Sequence, residues 1–445
     1  MMRPLTILLL LLGAANAASA QAPPLRLTLD EAILRGIETS HRLEELGARQ
    51  EAARAIEDQR EAAELPQLSA QAGYMRINHV EEFGVPNAEG GFRVIYPDLP
   101  NRAQSRLDLQ WPIYTGGRLN ALTRAAGAEV EATGQDREAA RADLKLEITR
   151  SFLAVMTSRA AAEVVRQALE RTSAHLNDVR NQLSVGLVPP SDVLTIEAQQ
   201  AHQRMLSIEA ETLVVTTTAE FKRLVGVDQA ASLELIPSDR AGDIVPPPGA
   251  VDPAAPAKAV DEARANRPER KSLLFRITAA EERVAAASAG SLPVLTAGGG
   301  YDVARPNLKI FPIQDKWTPS WDIGVSVRWS LFDGGRVRAE TAEAAANRRA
   351  VEAQLRNFDD GVAVEVRQRT AELTSATAAI EAAGVGVRAA AEARRVIAER
   401  FSAGVATNMD VLDAQTALLQ ADLDLTRARA SAHLAAARLD RALGR

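Results

Sequence analysis

The sequence predicts an α+β membrane protein with an internal duplication, in which long antiparallel coiled-coil helices alternate with pairs of amphipathic β-strands. Three observations predict this fold: a pattern repeated at a fixed offset, proline-free stretches with heptad spacing, and short alternating segments that hold the tryptophans and tyrosines. The chain has no cysteine, which excludes disulfides, thiolate metal sites, cysteine nucleophiles and the acylated cysteine of a lipoprotein. Its net charge of −6 without a basic block argues against nucleic-acid binding.

Residues 1–20 predict a secretory signal peptide. Arg3 supplies the basic start, residues 5–12 are apolar except for Thr6, and Ala18-Ser19-Ala20 forms a small-residue exit. An uncleaved N-terminal anchor is the alternative. Because no later stretch holds roughly 18 consecutive apolar residues, we expect any membrane crossing to use β-strands.

The two halves of the chain repeat one another. Residues 107–118 (LDLQWPIYTGGR) align with residues 325–336 (VSVRWSLFDGGR), and the Asp-Val-Leu that begins at Asp192 aligns with the one at Asp410. Both alignments have an offset of 218 residues, which indicates a long element of fixed length in each half. The offset between Tyr74 and Tyr301 is 227, so the first copy carries nine extra residues, which we expect to form an exposed loop tip.

The stretches that follow each Gly-Gly-Arg contain no proline, and their large apolar residues fall mostly three, four or seven positions apart. This spacing predicts coiled-coil helices, and about 65 residues of helix make a rod of roughly 100 Å. A glycine follows the C-terminus of each long helix, and an Asp a few residues later marks the start of a returning helix. The first repeat is predicted at 21–225, with a helix, a β-hairpin at 65–115, a long helix at 118–184 and a return helix at 191–225. A proline-rich connector follows at 226–257. The second repeat is predicted at 258–445, with a helix, a β-hairpin at 292–333, a long helix at 336–402 and a return helix at 408–443.

The strands of the two predicted hairpins have the residue pattern of membrane-spanning β-strands. Apolar residues alternate with polar ones along 107–113 and 325–331, which puts one face of each strand in an apolar medium and the other in water. The predicted water-facing side chains are Asp108, Gln110, Ser326 and Arg328. The aromatic side chains predicted to mark the membrane interfaces are Trp111, Tyr114, Trp317, Trp321, Trp329 and Phe332. A soluble β-subdomain with its tryptophans in a core is the alternative.

Each half supplies two strands, so one chain supplies four. Unpaired strand edges cannot face lipid, and about eight strands make the smallest membrane barrel. The sequence therefore predicts an oligomer, and a trimer would supply twelve strands, although arithmetic alone does not choose it over a dimer.

The duplicated strand pairs, each ending in a Gly-Gly-Arg turn, and the helix turns followed by Asp-Val-Leu resemble the TolC-type outer-membrane efflux proteins. The turn residues are Gly116, Gly117, Arg118, Gly334, Gly335 and Arg336. The resemblance implies a homotrimer with a twelve-stranded barrel in the outer membrane and a twelve-helix periplasmic α-barrel. It also implies two partners, a periplasmic membrane-fusion adaptor and an inner-membrane pump of the RND or ABC type.

The resemblance extends to the helical tips. The family's Val-Gly-Leu tip motif, which contacts the adaptor, is matched by Val185, Gly186 and Leu187, whereas Gly404 and Val405 of the second tip follow an alanine and depart from it. The family closes its periplasmic end with polar and acidic residues, but the corresponding stretch here is mixed in charge. This mixed-charge stretch predicts a salt-bridged latch formed by Arg394, Arg395, Glu399 and Arg400. The alternative is that these residues form an ordinary solvent-exposed face of the helix.

No catalytic, cofactor-binding or metal-binding residues are predicted. The Gly-Gly-Arg turns lack the phosphate-loop pattern, the five histidines form no ligand pair, and Asp192 and Asp410 are interpreted as helix-start residues. The sequence thus favours a passive exit duct of a tripartite efflux or type I secretion system. The rival hypotheses are an exported coiled-coil adaptor and an exported enzyme, and the substrate (a drug, a metal ion or a polypeptide) stays open.

Overall fold

The computed structural model describes residues 25–87, 90–236 and 255–445. The predicted signal peptide lies outside these residues, as does the 237–254 part of the predicted connector. Among the helices of the described ranges, none is both long enough and apolar enough to span a bilayer.

Eight α-helices lie in the described residues, and two of them are much longer than the rest. The helices α3 (Arg118–Ser184) and α7 (Arg336–Ser402) contain 67 residues each and begin at the arginines of the two Gly-Gly-Arg turns. The returning helices are α4 (Pro190–Leu224) and α8 (Asn408–Leu443). The shorter helices are α1 (Leu29–Glu38), α2 (His41–Ala62), α5 (Ala255–Asn266) and α6 (Pro268–Ser288).

The eight strands of the described residues form three sheets. The main sheet is antiparallel, with the order β2 (Gln67–Arg76), β5 (Asn101–Tyr114), β7 (Val294–Arg305) and β8 (Thr318–Arg328). Between β2 and β5, the strands β3 (Phe83–Pro86) and β4 (Phe92–Tyr96) form a separate hairpin where the sequence predicted a loop tip. The third sheet pairs β1 (Leu25–Leu27) in parallel with β6 (Leu233–Leu235).

One strand is shorter than its sequence pattern suggested. The alternation of apolar and polar residues runs to Leu331, but β8 ends at Arg328. The reason is its neighbour: β7 begins at Val294, which pairs with Arg328, so residues beyond Arg328 have no partner in that strand.

The described chain divides into two compact units, and both units take segments from both repeats. The first contains the described residues of Met1–Ser40, Leu144–Ala250 and Glu372–Arg438. In its core, the rings of Phe152 and Phe221 meet edge to face with centroids 5.9 Å apart. Thr28 and Glu31 cap α1 reciprocally, which satisfies amide donors at the helix start.

The second unit contains His41–Asp143, Val251–Ala371 and Leu439–Arg445. It holds the main sheet and an apolar cluster in which residues of α5, α7 and α8 pack together. The cluster consists of Val260, Ala263, Val362, Val366, Ala442 and Leu443.

Candidate functional site

The main sheet has one apolar face, and that face is exposed. Strand register places Leu107 beside Tyr301, and Tyr301 beside Trp321, so all three side chains lie on the same side. The large apolar side chains of this face, each more than two-fifths exposed, are Leu68, Tyr74, Leu107, Leu109, Trp111, Tyr301, Trp321, Ile323, Val325 and Val327. A surface of this size on one chain indicates contact with lipid or with another protein.

The opposite face is polar and carries an ion-pair network. The Arg106 guanidinium donates to Asp108 at 2.7 Å and to both carboxylate oxygens of Asp322 at 2.9 and 3.1 Å. Gln71 also donates to Asp108, at 3.1 Å. The same face holds the four residues that the sequence predicted to face water: Asp108, Gln110, Ser326 and Arg328. Sequence reasoning missed Arg106 and Asp322, although both fall in phase with the polar positions of their strands.

The predicted interface aromatics fall at both ends of the sheet. Trp111, Tyr114, Trp329 and Phe332 lie near the end where strands lead into helices, whereas Trp317 and Trp321 lie near the start of β8. All six are exposed, from Trp111 at 45% to Phe332 at 90%. The indole of Trp329 donates to the carbonyl of Ser291 at 3.0 Å, which fixes its orientation. Their role in a membrane stays a prediction.

The strand-to-helix turns are built from paired glycines with positive φ. Gly116 and Gly117 have φ of 65° and 82°, and Gly334 and Gly335 have φ of 69° and 89°. Residues other than glycine rarely adopt this backbone conformation. A Cβ at Gly116 would lie 2.8 Å from the Cβ of Leu292. The carboxylate of Asp333 accepts from the amides of Gly335 and Val337, both at 2.9 Å. These contacts give the turns a structural role at the starts of α3 and α7.

The two helical tips share one backbone geometry despite their different sequences. Gly186 and Gly404 both have φ of 76°. The next residue in each tip, Leu187 or Val405, donates its amide back five residues at 2.9 Å, which is the Schellman arrangement. The apolar tip side chains are exposed: Val185 at 69%, Leu187 at 75% and Val405 at 62%.

Buried Asn408 joins the two tips, a contact that sequence reasoning missed. Its side-chain oxygen lies 2.6 Å from Nε2 of His175, and its side-chain nitrogen donates to the carbonyl of Asp192 at 3.3 Å. The imidazole also packs edge to face on Phe401 with centroids 5.3 Å apart. An apolar cluster lies close by, formed by Leu176, Val179, Val193, Ile196 and Leu412. One residue at the start of α8 therefore links α3 and α4 of the first repeat to the second.

Replacing Asn408 by alanine is expected to destabilise the tip region by about 2 kcal/mol, because it leaves the buried imidazole of His175 without its partner and removes the hydrogen bond to the carbonyl of Asp192. Thermal unfolding of the purified protein measures the loss. Asn181→Ala, an exposed asparagine near the first tip, is the matched control and should leave the midpoint unchanged. Equal midpoints for both variants would contradict the linking role of Asn408.

The four predicted latch residues all lie on α7. Arg395 pairs with Glu392 and Glu399, all on α7, so these ion pairs hold one helix turn to the next. Arg400 lies close enough to Asp410 for its charge to help lower that carboxyl's pKa, after hydrogen bonds from Thr407. A latch needs a partner on another helix, and it stays a prediction.

Arg394 differs from the other three because its charge reaches a group on α3. Burial, and then the charge of Arg394, lower the pKa of Arg171 on α3. Burial raises the pKa of Asp422 on α8, although the charge of Arg171 opposes that shift. Two arginines and one aspartate thus lie near one another, with an excess of positive charge.

Comparison with known proteins defines the class. The family described as outer membrane efflux protein matches residues 35–227 and 259–445. The chain therefore belongs to the outer membrane efflux protein family, as the sequence motifs predicted.

Individual relatives are distant. The chain is 23% identical to the outer membrane protein TolC of Vibrio cholerae over 86% of its own length and 83% of that protein. It is 26% identical to the protein CyaE of Bordetella pertussis over 70% of its length, and the match spans 64% of CyaE.

Solved structures show the same fold. The outer membrane protein VceC of Vibrio cholerae superposes with a TM-score of 0.76 at 21% identity, covering 94% of this chain and 96% of VceC. The outer-membrane channel OprN gives a TM-score of 0.76 at 19% identity, covering 94% and 89% of the two chains. Long helices combined with a few strands are thus the fold of outer-membrane channels, which confirms the predicted fold class.

Proposed function

We propose that the protein is a passive exit duct, which conducts substrates delivered by an inner-membrane pump across the periplasm and the outer membrane. The observation that carries this proposal is the main sheet, whose exposed face is apolar and whose opposite face holds charged pairs. Such a sheet suits a wall with lipid on one side and water on the other. The signal peptide predicted at residues 1–20 supports export to that membrane.

A homotrimer completes this wall. The outer strands β2 and β8 each have one edge without a partner in the described chain, and open edges are not tolerated in lipid. Pairing β8 of one copy with β2 of the next closes three four-stranded sheets into twelve strands. The helix α4 supports assembly, because an exposed stripe with coiled-coil spacing runs along it: Leu194, Ala201, Met205, Ile208 and Val215.

The helical tips supply the surface for a periplasmic adaptor. Both tips present exposed apolar side chains on a rigid glycine turn, which is the kind of surface that packs against another helical hairpin. The adaptor would connect the duct to an RND or ABC pump, and the pump supplies the energy. Drugs, metal ions and polypeptides are all compatible cargo.

A pair of adjacent substitutions tests the membrane barrel. Val325 lies on the apolar face and Ser326 on the polar face of β8, and both are exposed. Arginine at 325 is expected to block membrane assembly, since an arginine facing the bilayer midplane costs about 2–4 kcal/mol per copy. Arginine at 326 should still assemble, because its side chain faces water.

Membrane fractionation and detergent-extracted mass measure assembly, and planar-bilayer recording measures conduction. We expect a trimer from the outer membrane for the wild type and for S326R, and loss of that trimer for V325R. Recovery of the wild-type protein as a monomer in the aqueous fraction would instead support the exported adaptor. Equal assembly of V325R and S326R would contradict a lipid-facing role for the apolar face.

A further inference from the structure

The connection between β7 and β8, residues 306–317, folds back over the polar face of the sheet. Three residues of β7 and this connection are nearly inaccessible: Asp302 is 4% exposed, Ala304 7% and Asn307 3%. In a single-layered sheet, burial on the polar face requires a cover, and the turn at 307–310 provides it.

Asn307 fixes the start of this turn. Its side-chain nitrogen donates to the carbonyl of Thr318 at 2.8 Å and to the hydroxyl of Ser320 at 3.0 Å. Its side-chain oxygen accepts from the amide of Lys309 at 2.9 Å. The turn is therefore bound to the first residues of β8, and it points the Lys309 side chain along the polar face.

Lys309 connects the turn to the ion-pair network of that face. Its ammonium donates to Asp322 at 2.8 Å and lies 4.0 Å from the carboxylate of Asp302. One oxygen of Asp302 is buried without a hydrogen-bond partner. A carboxylate buried to this extent needs a cation nearby, and Lys309 supplies it from the loop.

The turn leaves part of the polar face uncovered. A cavity of about 480 Å³ separates it from β2 and β5, and polar side chains of all these elements line the space. These include Gln71, Arg102, Gln104, Asp302, Asn307 and Lys309. The loop therefore narrows the space along the polar face without filling it.

We propose that Lys309 fixes the 306–317 loop as an inward-folded strap that narrows the external exit of the duct and thereby sets the size of solute that passes. The inference rests on the proposed function, because only in a trimeric barrel does the polar face line a channel. Three straps, one from each copy, would then stand in the lumen at the level of Asp322. Charges that line a pore and its width together determine what it conducts.

Cysteine labelling from outside intact cells tests the strap. The natural chain has no cysteine, so the single substitution Ser326→Cys reports access to the polar face below Lys309. The probe is a bulky, membrane-impermeant maleimide added to cells. In Lys309→Glu, a carboxylate replaces the ammonium and is repelled by the carboxylates of Asp302 and Asp322. We expect the double variant K309E/S326C to be labelled about fivefold faster than S326C alone, as loss of one partly exposed ion pair would predict.

Two further variants, each made in the S326C background, separate the contact from the charge. Lys316→Glu makes the same charge change on the same loop, where the lysine is exposed, and should leave the labelling rate unchanged. Lys309→Arg keeps the cation and should be labelled at the rate of the native loop. Equal rates for the native loop and K309E, or equal acceleration by K309E and K316E, would overturn the strap. Heat-resistant trimer on gels verifies that each variant is assembled.

A second reporter separates failure of the strap from failure of the proposed function. The substitution Arg93→Cys places a thiol on the exposed β3–β4 hairpin, at the same end of the sheet as the strap. If R93C is labelled on intact cells but the labelling of S326C shows no dependence on Lys309, the strap hypothesis is wrong and the proposed exit-duct function is unaffected. If R93C is protected in cells and labelled only after lysis, the membrane topology itself is wrong.

Discussion

Aspartate at the two helical tips is expected to abolish transport while leaving the proposed trimer and its pore intact. Leu187 and Val405 are 75% and 62% exposed, so the double variant L187D/V405D removes no packing from the fold. It replaces two apolar contacts of the proposed adaptor interface by charges that the adaptor would have to desolvate. Loss of an interface anchor costs at least about 2 kcal/mol, or roughly thirtyfold in affinity.

Adaptor binding to purified trimer and substrate export by cells measure the two consequences separately. Leu187→Met keeps an apolar side chain of similar volume and should retain both. Ser184→Asp adds a charge three residues before Leu187 without removing an apolar contact, so it isolates the effect of charge. Full export by L187D/V405D would contradict an adaptor interface at the tips, while a pore that no longer conducts would place these residues in the channel instead.

The duplication made much of the fold predictable from sequence. The offset of 218 residues relates both the first and the last residues of α3 and α7, because Arg118 and Ser184 correspond to Arg336 and Ser402. Glycines and arginines at the strand-to-helix turns marked the helix starts, since the positive φ of these turns requires glycine. Local chemistry and a repeat are enough to place such elements.

Contacts between distant parts of the chain were not predictable in the same way. Asn408 binds His175, more than two hundred residues away, and neither residue lies in a motif. The strap is similar, since Lys309 lies in a loop whose sequence gives no period and whose partners are on β7 and β8. The latch shows the converse: charges that are adjacent in sequence pair along α7 itself, because positions three and four apart are neighbours on a helix.

The second large effect concerns a buried ion network at the start of α6. The guanidinium of Arg267 is 8% exposed and lies 2.6 Å from Glu365 and 3.3 Å from Glu269, with its planar group 5.3 Å from the centre of the Phe358 ring. Glu269 also accepts from Arg441 of α8 at 2.5 Å. The network therefore ties α6, α7 and α8 together within the second unit.

Replacing Arg267 by alanine is expected to cost about 3 kcal/mol, because Glu365 loses its arginine partner and Glu269 keeps only Arg441. The change also removes the guanidinium from the Phe358 ring. The matched control is Arg445→Ala, which removes an exposed bidentate pair with Glu262 and should cost far less. Thermal unfolding of the purified protein compares the two variants. Similar losses for both variants would mean that burial adds nothing to the Arg267 pairs.

The same network gives stability a defined dependence on pH. Burial acts to raise the pKa of Glu269, but the hydrogen bond from Arg441 and the charges of Arg441 and Arg267 outweigh it, so the pKa is lowered. A lowered folded pKa means that the contribution of Glu269 is complete above the pKa of an unfolded glutamate, about 4.3, and is lost as pH falls through the folded value. The thermal unfolding midpoint of the wild type should therefore decrease as the pH is lowered below about 4. Glu269→Gln should flatten this drop, and an unchanged acid limb in that variant would assign the loss of stability to other carboxylates.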